Sequence, residues 1–260
     1  MPETLKVLLL AAFQGVAEFL PISSSAHIAI IGDLAGANGR ITDIEVSLHI
    51  GTLVSLCLFY RRRLAELLLA PIAHIREIVL IIVACVPAII AYLVFDDALD
   101  EAFATLSPKV IGPMLMATGI ALVSLAFRRD DGARPMCFWR ALAIGVAQAL
   151  ALIPGVSRLG ATTVCARHLG VSRKDSIDFS FLISMPLVLG GALMPLAHAM
   201  SRGSEASASA MPLGIHLLAA VVSAAVGYAA ISLLYRFLCG RRFWVVGIYC
   251  ILAAIAMLCA

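Results

Sequence analysis

The sequence predicts an all-α integral membrane protein: a polytopic helical bundle with inverted-topology repeats and two re-entrant helix hairpins. Three observations predict it. The 260-residue chain is 62% hydrophobic and only 13% charged. Apolar runs fit for helices of about 20 residues, the span of a bilayer, recur from end to end. A short motif at Gly15 returns at Gly145 beside loops of opposite character. A β-barrel would alternate apolar and polar residues in short segments, and this chain does not.

The apolar segments fall at 4–20, 22–35, 46–60, 77–95, 109–127, 141–153, 156–170, 176–199, 212–238 and 243–259. Several match a full span. Segments 22–35, 141–153 and 156–170 are too short to cross and are interrupted by Pro or Gly. Short broken segments of this kind read as re-entrant half-helices, tolerated where protein or a cavity surrounds them. The first run, LKVLLLAAFQGVAEFL, holds an internal glutamate and is followed by no small-x-small cleavage site, so it reads as part of the mature fold.

Loop charges give an orientation. Stretch 61–76 carries Arg61, Arg62, Arg63 and Arg76; stretch 128–140 carries Arg128, Arg129, Arg134 and Arg140; stretch 236–242 carries Arg236, Arg241 and Arg242. These loops are expected on the cytoplasmic side. The acidic loop FDDALDEAF and the small-residue loop SRGSEASASAMP are then expected outside. The net charge of +3 resides in these short loops and gives no sign of nucleic acid binding. The seven cysteines form no CxxC pair and mostly lie inside apolar runs, so they read as buried small hydrophobes rather than a zinc site or a disulfide framework.

GVAEFLPISSSA begins at Gly15 and GVAQALALIPGVSRLGA at Gly145. Both run Gly-Val-Ala, then Glu or Gln, then Leu, Pro and Ser. The first leads into the Arg61–Arg63 cluster and the second leaves the 128–140 loop, so their topologies are opposite. One transmembrane domain, 1–260, is expected, with repeat one at about 1–127 and repeat two at about 128–260. Inverted repeats with broken helices place a site where the breaks meet.

Two clusters carry candidate chemistry. Gln14 and Glu18 are four apart and share a helix face. Pro21 breaks that helix or starts another. A half-helix starting there presents unpaired amides near Ser23 and Ser24, with Ser25 beside them, to an anion such as phosphate. Ser24 and His27 are three apart and Ser23 and His27 four, spacings that let a hydroxyl face an imidazole. Serine and alanine also line tight membrane helix packing. Glu18 resists that reading, because a carboxylate at mid-membrane costs about 3 kcal/mol even on insertion scales and needs a partner. The second cluster is IPGVSRLGATT, residues 153–163, with a break at Pro154-Gly155, then Ser157 and Arg158, and Thr162 one turn on. Arginine is a planar fork suited to phosphate oxygens. Arg158 lies inside an apolar region, away from the loop arginines, and is the expected electrostatic partner of Glu18. His49, in EVSLHIGTLVSL, is a candidate to line the same cavity, with Glu45 at the start of that segment.

EFLPISSSAH at 18–27 and PGVSRLGATT at 154–163 resemble the signature blocks of the bacterial undecaprenyl-diphosphate phosphatases, the bacitracin-resistance family. IEVSLHIGTLVSL at 44–56 and FSFLISMP at 179–186 resemble further family segments, in the same order. The resemblance covers nearly the whole chain. It implies a multi-pass enzyme of the bacterial inner membrane that hydrolyses undecaprenyl (C55) diphosphate to undecaprenyl phosphate and inorganic phosphate. That reaction recycles the lipid carrier of cell-wall peptidoglycan synthesis. By the family pattern, Gln14 and Glu18 match the [Glu/Gln]xxxE signature; Ser24, His27, Pro154, Gly155, Ser157, Arg158 and Thr162 match the other conserved positions. Four residues depart from it: Gln14 where many members have a second glutamate, Leu159 for the serine after the arginine, His49 for glutamine, and Ala26 for glycine.

The mechanism expected on this resemblance has Glu18, Ser24, His27 and Arg158 as catalytic groups. Ser24 is the candidate nucleophile, with direct attack by water as the alternative, and His27 the base or acid. Gln14, Ser23, Ser25, His49, Gly155, Ser157 and Thr162 bind substrate. Glu18, with Gln14, holds a divalent cation, Mg²⁺ or Ca²⁺. The expected partners are the polyprenyl diphosphate lipid, membrane lipid and a second copy of the chain, with no nucleic acid. The site is expected to face the periplasm. The rival is a flippase or transporter that moves a polyprenyl-phosphate lipid through the same midplane site without hydrolysis.

Overall fold

The computed structural model describes residues 2–34, 41–104, 107–128, 133–201 and 212–259. Among them are eleven α-helices and no strand: α1 (Glu3–Ala17), α2 (Ser24–Leu34), α3 (Ile41–Phe59), α4 (Arg61–Leu69), α5 (Ile75–Ala104), α6 (Pro108–Ser124), α7 (Phe138–Leu150), α8 (Arg158–His168), α9 (Arg173–Ser201), α10 (Leu213–Leu238) and α11 (Val245–Cys259). Four stretches are long and apolar enough to cross a bilayer: Ile75–Phe95, Pro108–Phe127, Arg173–Leu193 and Leu213–Leu238. Large apolar side chains stand exposed along them, among them Ile82, Ile89, Ile120, Leu189 and Val221. Such a surface belongs in lipid, and the chain is a multi-pass helical membrane protein.

Helices α2 and α8 have 11 residues each and α7 has 13. At 1.5 Å per residue, 11 residues reach about 16 Å, roughly half the hydrocarbon thickness. Helices α2 and α8 each follow a break. α1 stops before Pro21, which cannot continue it, and α7 stops before Pro154-Gly155. Gly155 has φ +92°, where a side chain is strained, and an added Cβ would lie 2.8 Å from Met114 Cβ.

Two loops of the sequence reading are helical. Residues 61–69, expected in a basic loop, form α4, bent 77° from α3. RRRLAELLL turns Leu67 inward while Leu68 and Leu69 stay exposed, so the charges of an amphipathic helix read as a loop. The acidic stretch from Asp96, also expected as a loop, continues α5 to Ala104 beyond a break at Phe95 (φ −113°, ψ 19°). Its acidic residues recur at helical spacing, 96/100 and 97/101. Of the small-residue loop, 202–211 lies outside the described residues.

Packing is reciprocal between the halves. α1 lies on α10 and α7 on α5, while α6 pairs with α11 and α3 with α9. Exchanging α1–α2–α3–α5–α6 for α7–α8–α9–α10–α11 maps each of these pairs onto another or onto itself. The motif glycines follow the same rule. A Cβ on Gly15 would lie 2.9 Å from Gly227 N and Ser223 O on α10; one on Gly145 would lie 2.6 Å from Ala84 O on α5. At the α6–α11 crossing, a Cβ on Gly119 would lie 2.7 Å from Gly247 O, and one on Gly247 2.6 Å from Gly119 O. Backbones approach this closely only where side chains are absent.

Polar contacts hold the long helices. Ser55 Oγ donates to Ala224 O at 2.8 Å and Ser223 Oγ to Leu48 O at 2.9 Å, joining α3 to α10. At the α3–α4 corner, Tyr60 and Tyr235 hydroxyls both donate to Asp178 Oδ1, at 2.7 and 2.6 Å, and Lys174 Nζ donates to Oδ2 at 2.6 Å.

Gly119→Val is expected to destabilise by about 1–3 kcal/mol through overpacking at the α6–α11 crossing. Gly190→Ala, where a Cβ meets nothing within 4 Å, is expected to leave stability unchanged or to raise it by up to about 1 kcal/mol, the helix preference of Ala over Gly. Thermal unfolding of the two variants in detergent checks both.

Candidate active site

The site forms where the α1–α2 turn meets the first residue of α8. Gln14 sits in the last turn of α1 and Glu18 caps its C-terminus. The chain then turns through Pro21 to Ser23, whose φ of 62° is the one positive value at a non-glycine among the described residues. A serine held in the left-handed region is uncommon and is sustained by its surroundings. Helix α2 starts at the next residue. On the other side, Ser157 caps α8: its Oγ accepts from Gly160 N at 3.2 Å, and its own N–H donates to Thr118 Oγ1 at 3.2 Å. Arg158 is thereby fixed as the first residue of α8.

Arg158 Nη2 and Glu18 Oε1 form an ion pair. The carboxylate is 5% exposed and the guanidinium side chain 27%. The second carboxylate oxygen, Oε2, accepts from Ser24 Oγ at 2.9 Å and from Gln14 Nε2 at 3.1 Å. His49 stands behind, its Nδ1 3.3 Å from Gln14 Nε2 and 3.9 Å from Glu18 Oε2, with Glu45 Oε1 3.8 Å from its Nε2. Four helices, α1, α2, α3 and α8, thus bring Gln14, Glu18, Ser24, His49 and Arg158 together.

Other sequence-derived site residues support this group without joining it. His27 does not face Ser24. Its Nδ1 is 3.0 Å from Ser23 O and its Nε2 2.9 Å from Tyr249 Oη, and its ring stacks between Phe13 and Tyr249. The spacing put His27 near Ser24 along the helix, but Ser24 reaches back to Glu18 while His27 points to α11. Ser23 and Ser25 hydroxyls lie 3.3 Å from each other. Thr162 is fully buried and donates to Arg158 O at 2.8 Å, tying its own helix. Gly155 shapes the turn before α8.

The structure gives a place to residues that the motif reading left without a role. A small cavity beside the ion pair is lined by Glu18, Arg158, Leu159, Ser180, Phe181 and Ser184, with Phe19 and Leu56. Thr118 and Tyr249 anchor the two breaks. The serines at 176, 180 and 184 repeat every fourth residue of α9, a spacing that marks one face; Thr118 and Tyr249 carry no such signal.

A hard cation also finds a donor here. Gln14 Oε1 is buried and has no hydrogen-bond partner among the described residues. Gln14 and Glu18 side chains touch. An orphaned amide oxygen beside a carboxylate fits an oxygen-seeking divalent ion. Among the described residues no three His, Cys, Asp or Glu gather around a point.

The model of the bacitracin resistance protein BacA family matches residues 7–256. Curated relatives named undecaprenyl-diphosphatase align along most of their length. The protein of Rhodopirellula baltica is 35% identical over 91% of this chain and 90% of its own. That of Geobacter sulfurreducens is 38% identical over 87% of each chain. That of Clavibacter michiganensis subsp. michiganensis is 32% identical over 98% of this chain and 95% of its own. With a match from Val7 to Ala256 and two broken helices that meet at Glu18 and Arg158, the chain belongs to the bacitracin resistance protein BacA family.

Proposed function

We propose that the protein hydrolyses undecaprenyl diphosphate to undecaprenyl phosphate and inorganic phosphate. The observation that carries this reading is the Glu18–Arg158 pair with the Ser24 hydroxyl on the same carboxylate, in a chain whose relatives bear an undecaprenyl-diphosphatase name. A carrier that moves the lipid uncleaved needs charge neutralisation but no hydroxyl aimed at a carboxylate, and the relatives of Rhodopirellula baltica, Geobacter sulfurreducens and Clavibacter michiganensis subsp. michiganensis are all named undecaprenyl-diphosphatase.

The reading extends to topology. The bundle is one transmembrane domain of the bacterial inner membrane, built of inverted repeats at 1–127 and 128–260. Reciprocal packing of α1 on α10 and α7 on α5 supports the repeat. The pairs α1–α2 and α7–α8 dip in from opposite sides; the 11-residue length of α2 and α8 supports re-entry rather than crossing. Basic residues Arg61, Arg62, Arg63, Arg236, Arg241 and Arg242 lie on the cytoplasmic side, so the α1–α2 turn opens to the periplasm.

In the reaction, the guanidinium of Arg158 holds non-bridging phosphoryl oxygens, exchanging part of its bond to Glu18 for substrate, and offsets the charge that builds in the transition state. Ser24 Oγ attacks the distal phosphorus. The bridging P–O bond breaks and undecaprenyl phosphate leaves. Glu18 Oε2, which already accepts the Ser24 hydrogen bond, takes the proton, a role the sequence had given to His27. Water then opens the phosphoseryl ester and the proton returns to Ser24. His27 holds the Ser23 carbonyl and so keeps Ser24 aimed at Glu18. Mg²⁺ or Ca²⁺, held by Glu18 and Gln14 with the diphosphate, would neutralise phosphate charge. Gln14 reduces the protein's acidic ligands to one carboxylate, so binding of that ion is expected to depend on substrate.

Phosphate release from C55 diphosphate by purified protein in detergent tests the reading. Arg158→Ala is expected to lower kcat about 10²- to 10³-fold, the loss seen when one oxyanion donor is removed. Ser24→Ala is expected to abolish turnover, and His27→Gln, which acts only on positioning, to cost less than Ser24→Ala. A chelator is expected to suppress release and added Mg²⁺ or Ca²⁺ to restore it. A well-folded wild type that releases no phosphate, or a Ser24→Ala variant with full activity, contradicts the mechanism.

A further inference from the structure

The hydrolytic reading leaves the inner wall of the site unassigned. Ser180 and Ser184 of α9 line one small cavity with Glu18, Arg158 and Leu159. Ser180 is 2% exposed, and its Oγ accepts from Thr163 Oγ1 at 3.3 Å. Among the described residues nothing takes the Ser180 hydroxyl proton. A buried hydroxyl with a donor left over is a costly arrangement unless an acceptor arrives. Ser184 differs, because it donates to Phe181 O at 2.8 Å. Thr162 is likewise committed, to Arg158 O. Leu159 faces the same cavity and offers no donor at the position after the arginine.

We propose that Ser180 is a further substrate-binding residue, donating to a non-bridging oxygen of the phosphoryl group that Arg158 holds, with Thr163 as the residue that positions it. The ligand class is a phosphoryl oxyanion. Thr163 fills one lone pair of Ser180 and turns its proton toward the cavity, which is how a hydroxyl relay orients a terminal donor. Ser180 then supplies from α9 the contact that Leu159 cannot supply from α8. The proposal rests on the hydrolytic reading of the same site.

Phosphate release by the full chain, with C55 diphosphate as the probe, tests it. Ser180→Ala is expected to lower kcat/KM roughly 10- to 100-fold, the scale of a hydrogen bond to a charged group. Ser184→Ala is expected to stay within about threefold of wild type. Thr163→Val lowers kcat/KM as well, and the Thr163→Val/Ser180→Ala double variant is no worse than Ser180→Ala alone, because the two act through one hydroxyl. Leu159→Ser in the Ser180→Ala background recovers part of the loss, with each variant assayed below its own melting temperature so that only folded protein is compared. An active wild type whose Ser180→Ala variant is equally active overturns this proposal alone. Equal losses in Ser180→Ala and Ser184→Ala also overturn it. A wild type that releases no phosphate overturns the hydrolytic reading and this proposal with it.

Discussion

Glu18 and Arg158 are 140 residues apart in sequence and form one ion pair inside an apolar bundle. Either charge alone, taken from water into a membrane interior, costs several kcal/mol. Together, with further hydrogen bonds on the carboxylate, they offset that cost and fix a meeting point. Much of the site is arranged around it. Glu18 Oε1 is taken by Arg158, so Oε2 is left to collect Ser24 and Gln14. Gln14 in turn reaches His49 on α3. A single pairing thus draws the ends of two short helices and the side of a long one into one polar cluster.

That cluster needs helices that stop. A chain that crossed in full at 18–34 or at 158–168 would carry its polar start to the surface. Pro21 and Pro154-Gly155 stop it, and α2 and α8 start inside the bundle instead. Unpaired amides and carbonyls at such ends must find partners away from water. Ser157 does this for α8 with its own hydroxyl and with Thr118. His27 does it for the α1–α2 turn by bonding Ser23 O. The long helices supply a rigid frame through bare backbone contact at Gly119 and Gly247 and through the two tyrosines and the lysine on Asp178.

The parts of this arrangement visible in the sequence are those with a local cause. Breaks at Pro21 and Pro154 follow from proline itself, and the partnership of Glu18 with Arg158 follows from the cost of leaving either charge alone. Helix ends fell within a few residues, because apolar runs set them; α6 with its closing 3₁₀ turn, Pro108–Phe127, against a run of 109–127 is one case. What stayed hidden depends on tertiary direction. Ser24 and His27 have suitable spacing for a pair, yet they diverge because Ser24 bonds Glu18 Oε2 while His27 bonds the Ser23 carbonyl and Tyr249 Oη on α11. Ser180 is legible only as one of three serines on a face, since what that face meets is decided by α8. Charged helices mislead the reading in two places: Arg61–Leu69 and the end of α5 read as loops because hydropathy, not period, dominates.

The measurement that bears most directly on the account is a double-mutant cycle across the ion pair, read by thermal unfolding in detergent. Glu18→Gln and Arg158→Gln would each leave the opposite charge buried without its partner, a loss on the order of 3–5 kcal/mol. The double variant removes both charges at once. The account predicts that it melts above at least one of the single variants and that its loss is well below the sum of the two single losses. Losses that simply add would mean that the two residues do not interact, and would contradict a site built on their meeting.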